Sequence, residues 1–134
     1  MPAPAQTVRD YLSAMEDRDL ERARALLADG FTMEFPGPVR MAGLDELLAW
    51  AGPRYRFVRK TYERFDTCTE ASDSVVYCFG TLGGEWPDGT PFSGIRFIDR
   101  FTVRDGRLVD QTVWNGLGEV RHAGGSVRAG RTRR

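Results

Sequence analysis

The chain has 134 residues, 41% of them hydrophobic and 28% charged, with 19 basic residues set against 19 acidic ones. That is the size of one domain with one hydrophobic core and the composition of an ordinary globular chain. No apolar run approaches the roughly 18–20 residues of a membrane-spanning helix, and balanced charge excludes the strong positive field of a nucleic-acid-binding domain.

The charge is unevenly placed. After Glu119 the chain carries Arg121, Arg128, Arg131, Arg133 and Arg134, the single histidine His122 and no acid. Residues 1–120 are therefore expected to form the domain, and the small, basic stretch 121–134 to be disordered. The opening "MPAPAQTVRD" has no basic region followed by an apolar stretch, so no signal peptide is expected and a cytoplasmic location follows. Cys68 and Cys78 fall in strand-like segments and are expected to be buried free thiols.

The first elements are helical. Val8, Tyr11, Leu12 and Met15 follow the spacing of an amphipathic helix. Asp19 is placed to cap a second helix carrying Leu20, Ala23, Leu26 and Leu27, and Gly30 to end it. In "FTMEFPGP", residues 31–38, Phe31, Met33 and Phe35 alternate with Thr32 and Glu34, a short strand stopped by Pro36-Gly37-Pro38. Leu44, Leu47, Leu48 and Ala51 give a third helix, closed by Gly52-Pro53.

The remainder reads as strands. "RFVRKTYERFDTCT", "SVVYCFGTL", "GIRFIDRFTVR" and "LVDQTVWN" are separated by "EASD", "GGEWPDGTP" and Asp105-Gly106, each a turn signal. Antiparallel neighbours are expected. Helices first and strands afterwards predict an α+β domain, with helices on one face of a curved sheet.

Within "RFIDRFTV", Phe97, Asp99, Phe101 and Val103 share one strand face, so a carboxylate looks into an apolar interior. Such a group needs a partner: it is either a functional acid or an ion pair, with Arg96 or at the sheet edge. Tyr11 lies on the apolar stripe of the first helix and its hydroxyl also needs a partner. Trp50 and Trp114 read as core or cavity-wall aromatics. Tyr77 and Phe79 lie in a strand apolar on both faces, covered by helices on one side and by further protein on the other. With its one histidine in the tail, the body can hold no Ser-His-Asp triad, Cys-His dyad or histidine-based metal site, so no metal and no cofactor are expected. "GTLGGEWPDG" follows no strand–helix pattern and is a hairpin loop.

The order of these elements resembles the nuclear transport factor 2-like superfamily, and most of all its SnoaL-like polyketide cyclases and ketosteroid isomerases. The resemblance spans about residues 6–118. It is carried by "VRDYLSAMEDRDLERARALLADGFTMEFPGP" and by "FIDRFTVRDGRLVDQTVW". It implies a cone, with helices closing over a strongly curved antiparallel sheet around an apolar pocket, and a homodimer paired through the outer sheet face. Ketosteroid isomerases use a helix-one tyrosine and a protonated aspartic acid as an oxyanion hole, with a second aspartate as base. The resemblance puts Tyr11 and Asp99 in the first two roles. Phe35 stands where the base would be, and Glu34 has the opposite parity. The histidine–aspartate arrangements of SnoaL-like cyclases cannot be rebuilt, and the acid of the epoxide-hydrolase branch aligns near Val113. A base could come from Glu63, Asp66 or Asp110, according to which faces inward.

The implied function is isomerisation, cyclisation or dehydration of a hydrophobic polyketide- or steroid-like molecule. Tyr11 and Asp99 would act at its oxygen, against walls of Phe31, Met33, Phe35, Trp50, Tyr77, Phe97, Phe101 and Trp114. The alternative is a non-catalytic pocket protein that binds a lipophilic ligand or serves as a dimeric scaffold.

Overall fold

The computed structural model describes residues 2–118 and 120; the basic stretch 121–134 lies outside the described residues. The elements run α1 (Pro4–Glu16), α2 (Leu20–Ala25), β1 (Leu27–Phe35), β2 (Val39–Met41), α3 (Leu44–Ala51), β3 (Phe57–Glu70), β4 (Asp73–Glu85), β5 (Pro91–Arg104) and β6 (Arg107–Asn115). Three helices pack on one six-stranded sheet of order β2-β1-β6-β5-β4-β3. This is the expected α+β cone, with two differences: β1 pairs parallel with β6, so the sheet is mixed, and residues 39–41, not expected as a strand, pair antiparallel with β1 as β2.

Pro4 opens α1, where its missing N–H costs nothing. Val8, Tyr11 and Leu12 are buried on its inner side, together with the small residues Thr7 and Ala14. Asp19 caps α2 through its carboxylate, which accepts the Arg22 N–H at 3.2 Å.

The second helix is shorter than its periodicity predicts. It ends at Ala25, and Leu27 already belongs to β1, paired with Leu108 of β6. The Leu108 N–H donates to the Leu26 carbonyl at 2.8 Å. A ladder offered by β6 thus overrides the local helical spacing. Gly30 does not end the helix. It sits in β1 at φ 78°, inside the register jump between Leu27 and Thr32, where left-handed backbone favours glycine.

The curvature is written into β4. A β-carbon at Gly80 would run into the Thr61 carbonyl, and one at Gly84 into the Phe57 carbonyl, so only glycine lets β3 come this close. A register shift in β3 between Tyr62 and Arg64 turns both Tyr62 and Phe65 toward the helices, while Glu63 and Arg64 stay exposed. Among the described residues no helix is long and apolar enough to cross a membrane. Both cysteines are free, but only Cys78 is buried; Cys68, near the far end of the edge strand β3, is exposed.

Candidate functional site

The concave sheet face, α1 and α3 border a half-open cavity of about 230 Å³. Its walls are mainly apolar and aromatic, with Phe35, Leu47, Val58, Tyr62, Leu82 and Val113 among them. Polar groups gather at two places. Glu16, Arg18 and Arg59 border the cavity where α1 ends and β3 begins. Asp99, Lys60, Tyr11 and Gln111 lie against its depth.

Asp99 is where the strand parity of β5 requires, flanked on the inner face by buried Phe97 and Phe101. It is fully buried, and its Oδ2 accepts a hydrogen bond from Lys60 Nζ at 2.6 Å. Lys60 comes from β3, on the same side as Val58 and Tyr62, and its ammonium lies 4.7 Å from the centre of the Phe97 ring. Its side chain crosses β4 to reach Asp99 on β5, two strands over. The partner of Asp99 is thus Lys60 and not Arg96. In this contact the aspartate accepts and the lysine donates. The other carboxylate oxygen, Oδ1, is buried with no hydrogen-bond partner, and so is Oε1 of Gln111.

Tyr11 packs its ring between Phe31 and Phe101, at centroid distances of 6.4 and 6.0 Å. Burial, and then the negative charge of Asp99, push its phenol well above the ordinary range. Burial does the same to Tyr62, with smaller contributions from Cys78, Glu16 and Asp99. The Cys78 thiol is pushed up to about 12, by burial first and Asp99 second, so it stays a thiol near neutrality. The phenols and the thiol remain neutral around one ion pair.

The expected site residues divide by position. Tyr11, Phe35 and Asp99 line the cavity. Phe31, Met33, Phe97 and Phe101 lie in the core behind that lining. Trp50 backs Phe35, its ring 5.1 Å away at 60°. Tyr77 and Trp114 are on the opposite face of the sheet, since β4 and β6 turn Val76, Cys78 and Val113 inward; Trp114 is 50% exposed. These two are not cavity-wall residues. None of the three candidate bases lines the cavity. Glu63 is exposed in the β3 bulge, Asp66 bonds Arg64 at 3.0 Å, and Asp110 faces Arg100 at 4.0 Å. Glu34 pairs with Arg40 of β2 at 3.1 Å, away from the cavity.

Sequence reasoning missed Lys60 and Gln111. The signal for Lys60 was present: it is the one lysine among 19 basic residues and shares the parity of Val58 and Tyr62 in a strand with an apolar inner face. Gln111 shares that of Val113. Among the described residues no group of three or more His, Cys, Asp or Glu side chains is placed to hold a metal ion.

Comparison with known proteins agrees with this architecture. An NTF2-like protein of unknown function from Burkholderia pseudomallei superposes with a TM-score of 0.77 at 21% identity, covering 91% of this chain and 97% of the other. TerC, solved with polyporic acid, gives 0.73 at 18% identity over 88% and 95% of the two chains. A protein from Jannaschia sp. CCS1, assigned by its name to the SnoaL-like polyketide cyclases, gives 0.63 at 17% identity over 92% and 95%. At these identities the likeness is one of fold. No protein of curated function matches the sequence. The profile of the SnoaL-like domain matches residues 8–111, from the first buried valine of α1 to Gln111 of β6, and the chain belongs to the SnoaL-like domain family.

Proposed function

We propose that this protein is a cytoplasmic enzyme that isomerises, cyclises or dehydrates a hydrophobic polyketide- or steroid-like molecule, using polarising groups of its own chain. The observation that carries the reading is the Lys60–Asp99 pair, with Nζ 2.6 Å from Oδ2, against the deep end of an apolar cavity beside Tyr11. A substrate oxygen there would accept from the Lys60 ammonium and the Tyr11 hydroxyl. Both donors would stabilise negative charge as it develops on that oxygen, against mainly apolar walls. Asp99 would hold the ammonium in place, and the aromatic walls would fix the reacting conformer. The same reading includes a second copy of the chain on the outer sheet face. It is supported by the apolar row that register brings together there, Trp114 beside Ile98 beside Phe79.

The test is turnover of hydroxylated ring ketones by the wild type, Tyr11→Phe, Lys60→Met and Asp99→Asn, each checked for folding by circular dichroism. A lost donor is expected to lower kcat about 10²–10³-fold. Full activity in both Tyr11→Phe and Lys60→Met would remove the assignment. Tight binding without turnover by any form would favour a ligand-binding protein.

A further inference from the structure

The unpartnered oxygens say which chemical group the deep end of the cavity is built to receive. Asp99 and Gln111 lie on the same inner face: Asp99 pairs across strands with Val113, and Phe101 with Gln111, so the two are diagonal neighbours. Diagonal neighbours are about 7–8 Å apart at Cα, within reach of one small ring. Asp99 is fully buried and Gln111 is 5% exposed. Neither Asp99 Oδ1 nor Gln111 Oε1 has a hydrogen-bond partner. Leaving a buried acceptor unpaired is costly, and such groups in folded proteins are usually satisfied. Here two occur together against one cavity, beside an ammonium with N–H groups to spare.

We infer that the ligand is a compact ring compound with two hydroxyl groups on one edge, and that these enter the cavity first. The choice among oxygen and nitrogen functions follows from charge and hydrogen-bond sense. A ketone oxygen would accept from Lys60 but leave both acceptors unpaired. An amine cation would satisfy the acceptors and be repelled by Lys60. A hydroxyl both donates and accepts: one can give its proton to Asp99 Oδ1 while its oxygen takes an N–H from Lys60, and a second can donate to Gln111 Oε1. The volume of about 230 Å³ lies below the roughly 300–1,000 Å³ of drug-sized ligand sites, which favours two fused rings over four. The inference narrows the substrate class of the enzyme proposed above and rests on that reading for its site, though its test does not depend on turnover.

The test is isothermal titration of the whole chain with naphthalene-1,3-diol, 1-naphthol and 1,3-dimethoxynaphthalene. The diol is expected to bind at least about tenfold tighter than 1-naphthol, and 1-naphthol about tenfold tighter than the dimethoxy compound, one hydrogen bond at each step. In Gln111→Leu, which removes an unpaired acceptor and keeps a similar shape, the advantage of the diol over 1-naphthol is expected to shrink to about twofold or less. Asp99→Asn, if it folds, should reduce the advantage of 1-naphthol over the dimethoxy compound. Equal binding of the diol and its dimethyl ether overturns the inference. So does no measurable binding of the diol, or an advantage unchanged in Gln111→Leu. Hydroxyl-ranked binding without turnover of any substrate keeps this inference and removes the proposed enzyme; turnover without the ranking does the reverse.

Discussion

Lys60 and Asp99 show what one contact decides. Asp99 is fully buried, and only 21% of the Lys60 side chain is exposed, so little solvent screens the pair. Breaking such a pair leaves one charge desolvated and alone, which typically costs about 3–5 kcal/mol, whereas replacing both partners by apolar groups is close to neutral. Lys60→Met is therefore expected to destabilise the fold by about 3 kcal/mol in urea unfolding, and Lys60→Met with Asp99→Leu to recover most of the loss. A double variant no more stable than the single would show that the pair is not the unit of stability. The phenols make a second, pH-dependent contribution. Tyr11 and Tyr62 are both held above the ordinary phenol value of about 10 by burial. Above that pH the unfolded chain sheds phenolic protons that the folded chain keeps, so the contribution is complete below about pH 10 and is lost as pH rises toward the folded values. The unfolding midpoint should drop as pH rises above about 10, and less steeply in Tyr62→Phe than in the wild type. Parallel slopes would mean that burial of Tyr62 does not set the alkaline limit.

At the scale of elements, strand β4 sets how closely β3 can pack. Gly80 and Gly84 let β3 carbonyls approach where any β-carbon would collide with backbone, and a backbone obstacle cannot rotate away as a side-chain end can. Gly80→Ala is expected to cost about 1–3 kcal/mol in denaturant unfolding and to weaken ligand binding, because β3 must retreat and carry Lys60 with it. An alanine variant of wild-type stability and affinity would show that curvature does not depend on this glycine. The helices were largely legible in the sequence: α1 and α3 follow the spacing of Val8, Tyr11 and Leu12 and of Leu44, Leu47 and Leu48. The end of α2 was not. Leu26 and Leu27 fit the helical period, but β6 presents a partner for Leu27, and a hydrogen-bonded ladder outweighs local propensity. The parallel β1–β6 pairing was hidden for the same reason, since nothing local to either strand names its neighbour.

At the scale of the whole molecule, the two faces of the sheet carry different side chains. The concave face holds the cavity. The outer face carries Tyr77 stacked on Phe79 at 27°, Arg64 over Phe79, and Trp114 half exposed. If a second copy covers this face, Trp114→Arg should shift the chain from dimer to monomer in sedimentation velocity, with little change in the fold. A wild-type chain that sediments as a monomer at high concentration would remove the dimer from the proposed function.

The sequence by itself determined most of the element types, the α+β class and the inward face of β5 on which Asp99 sits, because periodicity and turn chemistry are local; the short β2 was not legible, and the family was read from the resemblance of whole stretches. Helix phase and strand alternation put Tyr11 and Phe35 on inward faces, and the family resemblance placed them at the cavity. Only the tertiary structure decided that Asp99 meets Lys60, that Gln111 stands beside it, that Tyr77 and Trp114 look outward, and that Glu63, Asp66 and Asp110 lie away from the cavity. Those outcomes depend on strand order and on the β3 bulge that resets parity. Each is a relation between residues distant in the chain, and it takes effect only when the sheet closes over its cavity.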